Sequence, residues 1–242
     1  MFLYNLYMEL RKLFLSLAAA FLFPLFLHSE EWVIPRTTYY ISADQQKFPD
    51  FPAPPEAGSK KDKADLAAVL GWQNKRAAAD CARANAGSHA GYVEFFGDLS
   101  PFAEPLPEEA LRIFNRVKTE TDGAAADIKD IFKRPRPFLR DPALQPCLGR
   151  IGGLAYPSGH ATISRLFALM LAELVPQMKK VYLARADEAA LDRVIGGVHH
   201  PSDIEAGKKL ADKLYRKYKK SPVFRGDMET LRGLLVKETL KK

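Results

Sequence analysis

Apolar residues recur three or four positions apart along most of this chain, and that period suits packed helices better than any other architecture. Between residues 108 and 133, Leu111, Phe114, Val117, Ala124, Ile128, Ile131 and Phe132 keep mostly to this spacing. From Asp203 to Lys219, Ile204, Ala211, Leu214 and Tyr218 form one stripe, with Gly207 on the same face. A glycine there weakens the helix slightly but lets a neighbouring element pack close. The stretch from Ala64 to Ala84 is rich in helix formers. Further helices are predicted over about Ser158–Val175, Asp187–Ile195 and Asp227–Leu240. No convincing strand and no internal repeat interrupts the pattern, so the predicted fold class is all-α, a single-domain helical bundle. Among 242 residues, 47% are apolar and 27% charged, which argues against a collagen-like fibre, a disordered tail or a short disulfide scaffold.

The first thirty residues differ from the rest. Arg11 and Lys12 precede an apolar run from Leu13 to Leu27, and Ser29 is a small residue before Glu30 and Glu31. This reads as a signal peptide over residues 1–29, cleaved after Ser29. The run is short for a membrane span and holds Pro24, and an uncleaved membrane anchor is the alternative. The expected location is therefore periplasmic or secreted. Residues 30–63 carry five prolines and read as an extended arm, with the helical domain over 64–242. Cys81 and Cys147 would meet an oxidising environment after export, where a single bridge and two buried thiols are both open. The Lys- and Arg-rich stretch from Lys208 to Lys220 alternates with the apolar stripe and reads as its solvated face rather than a nucleic-acid or membrane surface. The formal net charge of +7 fits an anionic substrate or nothing in particular.

Three short segments concentrate the chemistry. In Lys129–Pro137, Pro135 disfavours helical geometry at Arg134, so the helix should end near Lys133. Lys129 then lies in its last turns and Arg136 on the extended piece beyond, and the two can approach one anion from different sides. Read alone, they equally suit a cationic helix end facing the macrodipole. In Tyr156–Thr162, Pro157-Ser158-Gly159-His160 opens a helix, where free N–H groups and the dipole favour an anion; an N-capped helix with an incidental histidine is the plainer reading. In Arg193–Asp203, Gly196-Gly197 breaks a helix after Arg193. Asp203, four residues after His199, can accept one imidazole N–H and leave the other nitrogen free as a nucleophile. A helix connection with a capping aspartate fits that segment as well.

Taken together and in this order, the segments resemble the type 2 phosphatidic acid phosphatase superfamily, whose pattern is K-x6-R-P, then P-S-G-H, then S-R-x5-H-x3-D. The chain supplies Lys129 with Arg136-Pro137, then Pro157 to His160, then Arg193, His199 and Asp203. An exported form looks most similar to the bacterial class A non-specific acid phosphatases, and the resemblance implies the helical fold shared with vanadium haloperoxidases. It further implies an acid phosphatase acting on a small-molecule phosphomonoester without metal or other cofactor. Lys129, Arg136 and Arg193 would bind phosphate oxygens, and Ser158 with the Gly159 N–H would complete the cradle. His199 would attack phosphorus, Asp203 would fix its tautomer, and His160 would serve as general acid and base. One departure stands out, since Asp192 replaces the serine before Arg193. Its carboxylate either draws that guanidinium away from phosphate or lies harmlessly on the outer side of the helix. His200 reads as a rim or packing residue. A vanadium-dependent haloperoxidase, a lipid or polyprenyl pyrophosphate phosphatase, and a non-catalytic phosphate-binding protein are the competing functions. Tyr92, Phe95, Phe96 and Phe138 read as core rather than as a base-stacking surface, and a homo-oligomer is open.

Overall fold

One helix is buried on almost every side and the others are arranged around it. In the computed structural model, which describes residues 37–236, this helix runs Gly159–Leu174. From Ala161 onward only Arg165, Leu169 and Glu173 escape full burial. A helix apolar all round belongs in an interior. Numbered in chain order, the helices are α1 (Lys60–Lys75), α2 (Ala78–Ala86), α3 (Tyr92–Phe96), α4 (Glu108–Phe132), α5 (Pro137–Arg140), the central α6 (Gly159–Leu174), α7 (Lys179–Ile195), α8 (Pro201–Tyr218) and α9 (Pro222–Gly233). Helices α4, α7, α8 and α9 all pack against α6. No strand forms among the described residues, apart from one isolated bridge between Phe102 and Leu235. The all-α expectation therefore holds. The proposed signal peptide lies outside the described residues.

Several boundaries differ from the periodicity for identifiable reasons. Helix α1 begins at Lys60 rather than Ala64, because Ser59 accepts the Asp62 N–H as an N-cap. The helical stretch that follows breaks at Arg76 and Ala77, both extended. Helix α7 extends back to Lys179, and Pro222, fit for a first helical turn, starts α9 before Asp227. The described part of the arm is packed more deeply than an overlying strap. Tyr40, Ile41 and Phe51 join the main core, and the buried Glu120 carboxylate of α4 accepts the N–H groups of Tyr39, Tyr40 and Ile41 at 2.5, 2.8 and 3.2 Å. Tyr92, Phe95, Phe96 and Phe138 are all buried, which is the core reading.

Two constraints fix the region that matters for function. Helix α8 crosses the start of α6 at Gly207, where a Cβ would stand 2.5 Å from the Ser158 carbonyl oxygen and 2.9 Å from the Ala161 Cβ. Only glycine permits that approach. On the other side, Cys81 of α2 and Cys147 are bonded, which closes a 66-residue separation and ties the loop after α5 to α2. Gly207→Ala should cost about 1–3 kcal/mol of stability by overpacking, and replacing both cysteines by serine about 2–5 kcal/mol. Urea unfolding of each variant against the parent, under non-reducing conditions, measures both.

Candidate functional site

Helix α4 ends where proline chemistry requires. Lys133 adopts a left-handed conformation (φ 46°), and its N–H returns to the Lys129 carbonyl at 2.7 Å. Lys129 thus remains in the last turn. Its ammonium donates to the carbonyls of Leu154 and Pro157 at 2.7 and 2.8 Å, holding the segment that leads into α6. Arg136 follows on extended backbone and is heavily engaged. Its Nε and Nη2 donate to the carbonyls of Gly153 and Gly152, each at 3.2 Å. Its Nη1 reaches the Val198 carbonyl at 2.9 Å and His199 Nε2 at 2.7 Å.

Ser158 and Gly159 open α6. The Ser158 hydroxyl accepts from the Ala161 N–H, and its own N–H donates to the Asp203 carbonyl at 3.0 Å. The start of α6 is thereby joined to the first turn of α8. His160 lies one residue further, with Nε2 at 2.9 Å from the Ser88 carbonyl and its ring edge-on to Phe95. A carbonyl only accepts, so the neutral ring carries its proton on Nε2.

Arg193 closes α7 and is buried, at 3% exposed. Unlike the other two cations it is nearly uncommitted. Its Nη1 approaches the Ala84 carbonyl at 3.5 Å, and its Nε has no hydrogen-bond partner. An unmet buried guanidinium donor is costly unless something negative is meant to meet it. Asp192 supports the Arg193 charge through space but does not accept from that donor, because its carboxylate is clasped by Arg83 of α2 at 3.0 and 2.9 Å. The substitution for serine therefore builds an α2–α7 bridge and leaves Arg193 available. Beside it, a cleft of ≈ 240 Å³ bordered by Arg83, Glu94, Phe95, Arg185, Glu188 and Arg193 opens to solvent.

The turn at Gly196-Gly197, with Gly197 at φ 79°, brings His199 back under Arg136. His199 is 2% exposed, and its Nδ1 stands 3.4 Å from Asp203 Oδ2. That is an ion-pair separation without hydrogen-bond alignment, and Nδ1 has no other partner. Asp203 is fully buried and anchors a network the motif does not contain. Arg134 donates to Asp203 Oδ1 and Ser202 Oγ, each at 2.6 Å, and to Asp62 and Asp65 at 3.1 and 2.9 Å. Arg140 clasps Asp62 at 2.8 and 2.6 Å. Burial raises the Asp203 carboxyl, but the two adjacent imidazoles outweigh it and hold the carboxyl well below its ordinary range. None of Asp62, Asp65, Arg134 and Arg140 was singled out from the sequence. The only hint was the Asp-x-x-Asp spacing that puts Asp62 and Asp65 on one face of α1.

The electrostatics show what the arrangement is suited to hold. Burial, then the charge of Arg136, lowers Lys129 to about 8 and Arg193 to about 10. Burial lowers Arg136 as well. Burial and Arg193 together push His160 down to about 3, against a small opposing pull from the Ser88 carbonyl, and burial drives His199 well below its ordinary value. Crowded cations that depress one another gain most from an anion placed among them. Among the described residues no group of three His, Cys, Asp or Glu side chains is placed to hold a metal ion.

These shifts set a pH dependence. With His160 at about 3 when folded and 6.5 as its ordinary value, the unfolded chain binds more protons between those limits, so acidification through that window destabilises the fold. A bound anion raises the folded value and reverses part of the loss. Urea unfolding at pH about 7 and about 4.5, with and without saturating orthophosphate, should show phosphate stabilising more at the lower pH.

Comparison with known proteins bears on the same residues. Residues 120–211 match the PAP2 superfamily. An acid phosphatase of Zymomonas mobilis is 35% identical over 139 residues, which is 54% of this chain and 51% of that protein. The match thus spans about half the length of that relative. A non-specific acid phosphatase of Providencia stuartii is 29% identical over 223 residues, 84% of this chain and 86% of its own length. A decaprenylphosphoryl-5-phosphoribose phosphatase of Mycolicibacterium smegmatis is 34% identical over 84 residues, 35% of this chain and 44% of that protein.

Proposed function

The chain belongs to the PAP2 superfamily, and from that premise we propose that it is an exported acid phosphatase that hydrolyses phosphomonoesters through a phosphohistidine. The observation that carries this reading is the placement of His199, with Nδ1 towards a buried carboxylate and Nε2 covered by Arg136, while Arg193, whose charge acts on His160, keeps an unmet donor. The acid phosphatase relatives support the substrate class. Export is supported by the Cys81–Cys147 bridge, which suits an oxidising compartment.

In the proposed cycle, phosphate oxygens enter between Arg193, Arg136, Lys129 and the start of α6. A phosphate oxygen takes the Arg136 N–H that covers His199 Nε2 and so frees that lone pair. Nε2 attacks phosphorus, the ester P–O bond breaks, and the leaving oxygen takes a proton from His160. The Ser88 carbonyl holds Nε2–H of His160, so Nδ1 is the nitrogen that gives and later takes this proton. His160 needs that proton against the cationic field around it, and the negative charge of the arriving phosphate screens the field; binding and protonation are therefore coupled, and activity is favoured in acid. Water then gives a proton to His160 and its oxygen bonds to phosphorus as the P–N bond breaks, returning the electron pair to His199. Transition-state charge rests on three guanidinium and ammonium groups and a helix N-terminus. The cleft beside Arg193, lined by both signs of charge, receives a polar leaving group.

The purified protein should release nitrophenol from p-nitrophenyl phosphate in EDTA at acid pH, and His199→Ala should lower kcat by on the order of 10³ or more. Unchanged turnover in that variant would remove the nucleophile from the scheme. His160→Ala should lose about 10²–10⁴ in kcat with an alkyl phosphate, but far less with p-nitrophenyl phosphate, whose leaving group needs no proton. The polyprenyl relative supplies a second reading, decided by a panel that sets soluble sugar and nucleoside phosphates against polyprenyl phosphates in detergent.

A further inference from the structure

We propose that His200, the residue after the nucleophile, is a positioning residue that governs how firmly Asp203 holds His199. The inference rests on the phosphohistidine reading above. His200 is fully buried, and both of its ring nitrogens are engaged. Nδ1 lies 2.8 Å from Asp203 Oδ2, and Nε2 lies 3.1 Å from Arg140 Nη1. A carboxylate oxygen only accepts and a guanidinium only donates, so the neutral ring carries its proton on Nδ1. His199 is in the same position one residue earlier, with Nε2 under Arg136 and Nδ1 towards the same Oδ2. Two successive imidazoles, in one tautomer, share a single carboxylate oxygen.

They do not share it equally. His200 donates twice to Oδ2, from Nδ1 and from its backbone N–H at 2.7 Å, which uses the oxygen's two lone pairs. Arg134 holds Oδ1 at 2.6 Å, so the carboxylate cannot turn its other oxygen to the nucleophile. His199 is left at 3.4 Å. A buried imidazole ordinarily has its nitrogens met; what sets His200 apart is that it, and not His199, makes the tighter contact with this carboxylate.

The consequence falls on the intermediate. Phosphorylation at Nε2 leaves His199 with its Nδ1–H and a positive ring, which Asp203 stabilises. By drawing Oδ2 to itself, His200 weakens that stabilisation and keeps the P–N bond easy to break. Removing its ring donor lets Asp203 close on His199, and the phosphohistidine then accumulates.

Two variants separate the donor from the rest of the side chain. His200→Asn keeps an N–H near the Nδ1 position, whereas His200→Gln keeps a polar end towards Arg140 and lacks that donor. With p-nitrophenyl phosphate, H200Q should show a nitrophenol burst approaching one per site, with kcat and KM falling together by about tenfold; H200N should resemble the parent. Like behaviour in the two variants, or a burst in H200N alone, overturns the proposal. In the unmodified protein labelled with [15N]histidine, the His200 Nδ1–H proton should resonate further downfield than that of His199, and the reverse order overturns the proposal without any variant. Retained turnover in His199→Ala instead rejects the phosphohistidine scheme itself, so the two failures are distinct.

Discussion

Buried charge of one sign must be answered by charge of the other, and the site and the helices around it are organised by that requirement. Lys129, Arg136 and Arg193 come together in an interior where each is depressed by burial. Lys129 and Arg136 feel the charge of the Asp203 carboxylate, itself fully buried, and Arg193 that of Asp192. The Asp203 carboxylate is paired with Arg134, which also binds Asp62 and Asp65 of α1, and Arg140 clasps Asp62 in turn. Removing one member of such a buried set is costly because its partner is left charged and dry. The network therefore fixes α1, the segment between α4 and α5, and the start of α8 as one unit.

The central helix converts that unit into a binding geometry. Its first residues lie against Gly207 closely enough that any side chain there would collide with the Ser158 carbonyl, and the Ser158 N–H bonds to the Asp203 carbonyl. The carboxylate beside His199 and the start of α6 are thus coupled through two backbone contacts. Lys129 and Arg136 reinforce this by holding carbonyls of residues 152–154 and 157. Two of the three cations consequently have a structural duty as well as the proposed one, and Arg193 alone is held largely in reserve.

Much of the site was legible because the chemistry is carried by short segments whose backbone behaviour is local. Pro135 ends α4 beside Lys129, Ser158 caps α6, and Gly196-Gly197 turns the chain between Arg193 and His199; each follows from residue type within a few positions. The helix boundaries were less legible where a cap or a break lay outside the apolar period, as at Ser59, Arg76 and Lys179. The depth of the arm was not legible, since prolines mark extended backbone but carry no information on whether Tyr40 and Phe51 find a core to enter.

By itself, the sequence determined an all-α chain, the order of three cation- and histidine-bearing segments, and a choice between two fates for its cysteines and for Asp192. Only the tertiary structure decided those fates, joining Cys81 to Cys147 and giving Asp192 to Arg83. It also placed His200 and not His199 in the shorter contact with Asp203. The physical reason is the same in each case. Which of several acceptors a donor meets depends on distances of a few tenths of an ångström between elements far apart in sequence, and helical periodicity constrains the faces of those elements but not the spacing between them.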